Sequence, residues 1–195
     1  LLYEHGAVAG LGAAIHEDRF ELCAEILAAN PSLAQALLYE AIQQGKLSVV
    51  KLMLRYGARF DPRRPVIWQT ALAQNLEHRR VEMAEFLIAH GEDINWGNWM
   101  EQAPLHYCIM EDRPDMVDWA LDHGADIEAR DWELESRPLG WAAHIGSRGC
   151  VEVLLRRGAR VEHPEDQSWN APIARAEKRG HADIAALLRQ RAAAE

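Results

Sequence analysis

A chain of 195 residues with 49% apolar content is long enough to bury a core, so intrinsic disorder is excluded as its default state. A net charge of −9 disfavours nonspecific binding to nucleic acid or to an anionic membrane, both of which need clustered Lys and Arg. Three widely separated cysteines, Cys23, Cys108 and Cys150, argue against a disulfide framework and fit a reducing, cytoplasmic setting.

Residues 1–9 contain LLYEHGA, which reads as the tail of a helix: a remnant of an upstream repeat, or a lead-in. The longest apolar run, residues 7–15, is too short to span a bilayer, and with no basic residue before it no signal peptide is expected. Leu1 is not an initiator methionine, which fits a fragment or a processed chain. A first pair of short helices is predicted from Gly10, with Asn30 in the left-handed closing position and Pro31 stopping the chain there.

From this point one period governs the sequence. Glycines that close a second helix recur at Gly57, Gly91, Gly124 and Gly158, spaced 34, 33 and 34. Helix-opening dipeptides recur at Ala71-Leu72, Pro104-Leu105, Pro138-Leu139 and Pro172-Ile173, spaced 33, 34 and 34. Two independent markers agree, which is the signature of a repeat architecture. Leu11, Leu38, Leu72, Leu105, Leu139 and Ile173 share one register position. In the second helices Cys23, Val50, Ala84, Val117 and Val151 are followed three and four residues later by Ile26-Leu27, Met53-Leu54, Leu87-Ile88, Ala120-Leu121 and Leu154-Leu155. That spacing is one apolar stripe per helix, too small to be buried alone and buried by stacking on neighbours. The predicted units are 10–36, 37–70, 71–103, 104–137, 138–171 and 172–195 within a single domain, 10–195. The last is a cap, because Arg189 interrupts its stripe amid Glu177, Lys178, Arg179 and Arg191.

The stretches PLGWAAHIG…VEVLLRRGA, APLHYCI…MVDWALDHGADIEAR and APIARAEKRGHADIAALL resemble ankyrin repeats, and the resemblance covers about residues 10–192. It implies an all-α solenoid of about six stacked helix pairs, an L-shaped stack with projecting β-hairpin-like fingers. It also implies a non-enzymatic, cofactor-free module that binds another protein through its fingers and the exposed face of the first helices. The threonine that usually precedes the opening proline survives only as Thr70, other units having Ala103, Arg137 and Ala171, and the family's opening histidine appears only as His106. Each lost capping hydroxyl costs ~1 kcal/mol.

Nothing in the register points to catalysis or to a metal. The cysteines fall on core positions, where a small hydrophobe is the simplest reading. No Cys-x-x-Cys, zinc-helix His spacing, Gly-rich phosphate loop or Gly-x-Ser-x-Gly elbow occurs, and the acidic stretch 128–135 lacks the spacing of a calcium loop.

What varies between units points to binding. Trp68, Trp96, Trp99, Trp132 and Trp169, five of the seven tryptophans, lie in the fingers; Trp68 and Trp169 hold equivalent positions, where packing between fingers competes with exposure. Exposed apolar anchors with a polar surround are what a protein interface requires. The candidate contact residues are Trp68, Gln69, Trp99, Met100, Met110, Glu111, Glu133, Leu134, His144 and Ile145. Residues 37–70 carry six basic and two acidic groups, among them Arg59, Arg63 and Arg64 in one finger. Residues 71–137 carry five basic and sixteen acidic, including Asp115, Asp118, Glu128, Asp131, Glu133 and Glu135. The expected partner is therefore a protein with a basic surface, bound by a module that is a monomer by itself, with no nucleic acid or membrane involved. The alternative expectation is an accessory or targeting segment of a larger enzyme or effector whose activity lies outside these residues.

Overall fold

The computed structural model describes residues 2–61 and 69–194, with side chains from Gly6 onward. Among the described residues there are twelve α-helices and no strand: α1 Leu2–His16, α2 Phe20–Ala29, α3 Leu33–Gln43, α4 Leu47–Arg55, α5 Ala71–Glu77, α6 Val81–Ala89, α7 Pro104–Met110, α8 Pro114–Asp122, α9 Pro138–Ile145, α10 Arg148–Arg156, α11 Pro172–Arg179 and α12 Ala182–Ala192. The described residues form two compact units, one within 1–64 and 80–92 and the other within 65–79 and 93–195. In the first, α1 packs on α2 and α3, and α4 on α2 and α3. In the second, the first helices α5, α7, α9 and α11 pack in succession, while α8 and α10 lie against each other and against α7 and α9 respectively; α12 packs on α11.

Helices of seven to eleven residues are marginal in water, so packing must hold them. The stripe predicted from sequence is the core: Leu11, Leu38, Leu72, Leu105 and Leu139 are buried, as are Cys23, Val50, Ala84, Val117 and Val151. Each such leucine contributes roughly 1.5–3 kcal/mol by leaving water. Met53, Leu87 and Ala120 are the buried members of their pairs, both Leu154 and Leu155 are buried, and in α2 the buried member is Leu27 rather than Ile26. Ile173 is half-exposed, and Glu177, Arg189 and Arg191 face solvent on the last helix pair.

Local chemistry sets the helix ends. Proline opens α7, α8, α9 and α11, where its missing N–H is no loss. Thr70 Oγ1 accepts from the Ala73 N–H at 3.0 Å and caps α5. The turn between first and second helix always passes through a left-handed residue: Asp18, Gly45, Arg79, Asp112, Gly146 and Gly180 all have positive φ. Three of these six are not glycine. Gly57, Gly91, Gly124 and Gly158 close their second helices at φ from 88° to 95°. Asn30 departs from its expected left-handed geometry: its φ is −140°, because Pro31 pushes the residue before it into the extended region. α1 runs unbroken from Leu2 to His16, so residues 2–9 belong to the same helix as Leu11 and Ile15.

A β-carbon at Gly158 would meet no atom within 4 Å, whereas one at Gly146 would lie 2.5 Å from the His181 ring. Gly158→Ala is therefore expected to cost only backbone strain, ~1–2 kcal/mol. Gly146→Ala is expected to cost more, since the imidazole must also move. Urea unfolding of the two variants beside the wild-type chain measures the difference.

Candidate protein-binding surface

The segments that precede α7, α9 and α11 were expected to be β-hairpin-like fingers. Among the described residues these segments contain no strand, and in the first two Asx side chains take backbone N–H groups. In the first, Asp93 Oδ1 accepts from the Asn95 N–H at 2.8 Å; one period later Asp126 Oδ1 accepts from Glu128 at 2.9 Å. The following side chain then reaches the next finger. Asn95 Oδ1 takes the Asp126 N–H at 2.7 Å, and Glu128 Oε1 takes the Arg160 N–H at 3.0 Å.

Two buried polar hubs shape the finger tips. Asn98 Oδ1 accepts from the N–H groups of Met100 (2.8 Å) and Gln102 (3.1 Å), while its Nδ2 donates to the Tyr107 hydroxyl at 2.9 Å. Asp131 carboxylate oxygens accept from the N–H groups of Glu133 (2.9 Å), Leu134 (2.9 Å) and Ser136 (3.0 Å). Tip then joins tip. The Trp132 N–H donates to the Met100 carbonyl at 2.8 Å, Gln102 Nε2 donates to Glu133, and Asn170 Nδ2 donates to the Glu135 carbonyl at 2.8 Å. Buried Arg137 ties Glu128 to Glu165 and Asp166.

Large indoles stand out from this stitched base. Trp99 is 56% exposed, Trp132 65% and Trp169 52%. Arg175, buried at the start of α11, donates to the Leu134 carbonyl and lies 5.4 Å from the Trp169 ring centroid, a cation–π contact. Met100 and Leu134 are half-buried, and Glu133 is exposed. Met110 and Glu111 end α7, and His144 and Ile145 end α9, which packs on α7. Gln69 is half-buried and donates to Glu77 at 2.8 Å. Trp68, with Arg63 and Arg64, lies outside the described residues. Sequence reasoning did not single out Trp132, Trp169 or Arg175 as contacts. A usable signal existed for Trp132, which stands one 33-residue period after Trp99.

The acidic count of the middle repeats overstates the acidic surface. Asp115 pairs with Arg79 at 3.1 Å, Asp118 with Arg156 at 3.1 Å and Arg157 at 3.2 Å, and Asp131 is buried on backbone N–H groups. Glu101, Glu133 and Glu135 remain exposed at the tips. Burial pushes the Cys108 thiol up to about 12 and the Cys150 thiol up to about 11, so neither is a thiolate near neutrality. Among the described residues no group of three or more His, Cys, Asp or Glu is placed to hold a metal, and no helix is long and apolar enough to cross a membrane.

The family model described as ankyrin repeats (3 copies) matches residues 38–131. Cyclin-dependent kinase 4 inhibitor B of Bos taurus is 31% identical over 118 residues, 60% of this chain and 88% of that protein. The chain belongs to the ankyrin-repeat family. Ankyrin repeat and SOCS box protein 6 of Pongo abelii is 36% identical over 93 residues, and palmitoyltransferase Hip14 of Drosophila melanogaster 33% over 73 residues. These matches take in 47% and 37% of this chain but only 22% and 12% of the two relatives. Ankyrin repeats are in general protein–protein interaction modules, and here the second unit's fingers carry the exposed aromatic area such a module uses.

His106, the family's opening histidine, is buried at the foot of this surface, with Ala103 N 3.2 Å from its Nδ1. Burial pushes its imidazole below the ordinary value, against an opposing pull from Asp131. A depressed histidine favours the neutral folded form, so its contribution to stability is intact above the unfolded value near 6.5 and falls as pH drops below it. Between pH 7 and pH 5.5 the wild-type melting temperature is expected to fall further than that of His106→Asn. Losing Asp131 strands three N–H groups at an expected total of about 2–4 kcal/mol, read by urea denaturation of Asp131→Ala.

Proposed function

We propose that the chain is a non-enzymatic binding module whose ligand is another protein, seated on the finger tips of the second unit. The observation that carries this reading is the exposure of Trp99, Trp132 and Trp169 on successive fingers, the first two hydrogen-bonded backbone to backbone and the third tied to the second by the Asn170 side chain. Indoles on a rigid base give large contact area at little entropic cost, which is why tryptophan dominates binding hot spots. Met100 and Leu134, half-buried on the same fingers, add apolar area, and Glu101, Glu133 and Glu135 are exposed carboxylates suited to a partner with a basic surface. Met110, Glu111, His144 and Ile145 continue the contact onto the first helices, and Gln69 adds to it at the preceding repeat. The buried cysteines suit a reducing compartment such as the cytoplasm.

A second reading, an accessory segment of a larger enzyme or effector, is favoured by one fact: the chain matches only 22% of the length of ankyrin repeat and SOCS box protein 6 and 12% of that of palmitoyltransferase Hip14. The two readings are compatible, since a targeting segment also works by binding.

Trp99→Ala/Trp132→Ala is expected to leave the melting temperature within a few degrees of wild type, both rings being exposed. It should weaken binding of any partner that co-purifies with the wild-type chain by at least tenfold, measured by titration calorimetry. A partner held unchanged by the double variant removes the finger tips from the interface.

A further inference from the structure

In the second unit the residues one and two places before each left-handed turn form a ladder. The steps are Glu77-His78, Met110-Glu111, His144-Ile145 and Lys178-Arg179, spaced 33, 34 and 34, at the ends of α5, α7, α9 and α11. All eight side chains are exposed or half-exposed, and the four helices pack in that order. The composition changes along the ladder from carboxylates, through Met110 and Ile145, to cations.

Two half-exposed groups inside the unit report the potential on either side of the middle. Tyr107 of α7 is pushed up by burial and, in part, by the charges of Glu133 and Glu77. His144 of α9 is pushed down by burial and then by Arg179, Arg175, His181 and Lys178, with no carboxylate among the causes. The charges that act on Tyr107 are thus carboxylates, and those that act on His144 are cations. A lysine and an arginine in the last turn of α11 also suit the helix dipole, but that effect is worth only about 0.3–1 kcal/mol and does not account for His144 and His181 beside them. Arg137, Arg148, Arg156, Arg157 and Arg189 of this unit each face a carboxylate, whereas among the described residues Lys178 and Arg179 have no ion pair. At the other end Arg79 is held by Asp115 at 3.1 Å, which leaves Glu77 and Glu111 uncompensated by it.

We propose that this ladder reads the charge order of an extended peptide segment of the partner protein, cationic over α5 and α7, apolar in the middle and anionic over α9 and α11. The inference rests on the chain being a protein-binding module, and adds which segment it selects and how that segment lies. Neighbouring helices lie ~10 Å apart, so the outer steps are separated by about 30 Å. At ~3.3 Å per residue an extended segment needs about nine residues to cross them. The carboxylates of Asp and Glu side chains at the anionic end meet the cationic step.

The test is selection of a displayed library of random 16-residue peptides on the full chain. Selected peptides should carry a Lys/Arg cluster and an Asp/Glu cluster about nine residues apart. Lys178→Glu/Arg179→Glu should abolish the preference for the acidic cluster alone, and Glu77→Lys/Glu111→Lys the preference for the basic cluster alone. Each should weaken a wild-type-selected peptide at least tenfold at 0.15 M salt, with a matching helical circular dichroism spectrum confirming the fold. Selected peptides without paired clusters, selection indifferent to the charge variants, or no enrichment at all would overturn the ladder. Selection that Trp99→Ala/Trp132→Ala abolishes but the charge variants leave unchanged would sink the ladder and spare the finger tips. The converse would sink the finger tips alone.

Discussion

Everything in this chain depends on a helix too short to shelter its own apolar stripe. Seven to eleven residues bury a leucine or two and a few small side chains, which does not outweigh the entropy of ordering the segment. Only a neighbour with the same stripe at the same height closes the core, and that demand sets the period near 33 residues. Because the core residues must match from repeat to repeat, variation is confined to the turns, the finger tips and the outer ends of the first helices. Binding chemistry can therefore change there without disturbing the stack.

The fingers obey a second, polar constraint. Their backbone N–H groups have no ladder to join, so Asn98, Asp131 and the Asx turns at Asp93 and Asp126 satisfy them from side chains. The network is rigid because it is cross-linked from finger to finger by Asn95, Glu128 and the Trp132–Met100 bond. Rigidity at the base is what allows a bare indole at the tip. A tryptophan on a mobile loop would fold back onto the nearest apolar surface and be lost to a ligand.

The period, the helix pairs and nearly all of the core were legible in the sequence, because glycine, proline and leucine mark positions where backbone and burial leave few alternatives. The finger geometry was not. Asn98 and Asp131 act through backbone groups that no side-chain pattern reveals, and the arginines that pair with Asp115 and Asp118 lie one repeat away in sequence. Arg175 is a similar case. A charged residue in the first turn of a terminal helix reads as solvent-facing, yet it is buried, with its guanidinium on the Leu134 carbonyl and near Trp169. Asn30 shows the opposite failure, a correct stop signal with the wrong conformation, since Pro31 overrides the preference of asparagine for the left-handed region.

The left-handed turns at Asp18, Arg79 and Asp112 have a consequence for how the stack comes apart. Each holds a strained backbone where glycine would be relaxed, and each extends a side chain to a later helix pair: Asp18 to Lys46, Arg79 to Asp115, Asp112 to the Ser147 hydroxyl. Strain within one repeat is thereby exchanged for linkage between repeats. The three non-glycine turns thus add polar links between repeats to a core that already makes each repeat depend on its neighbours.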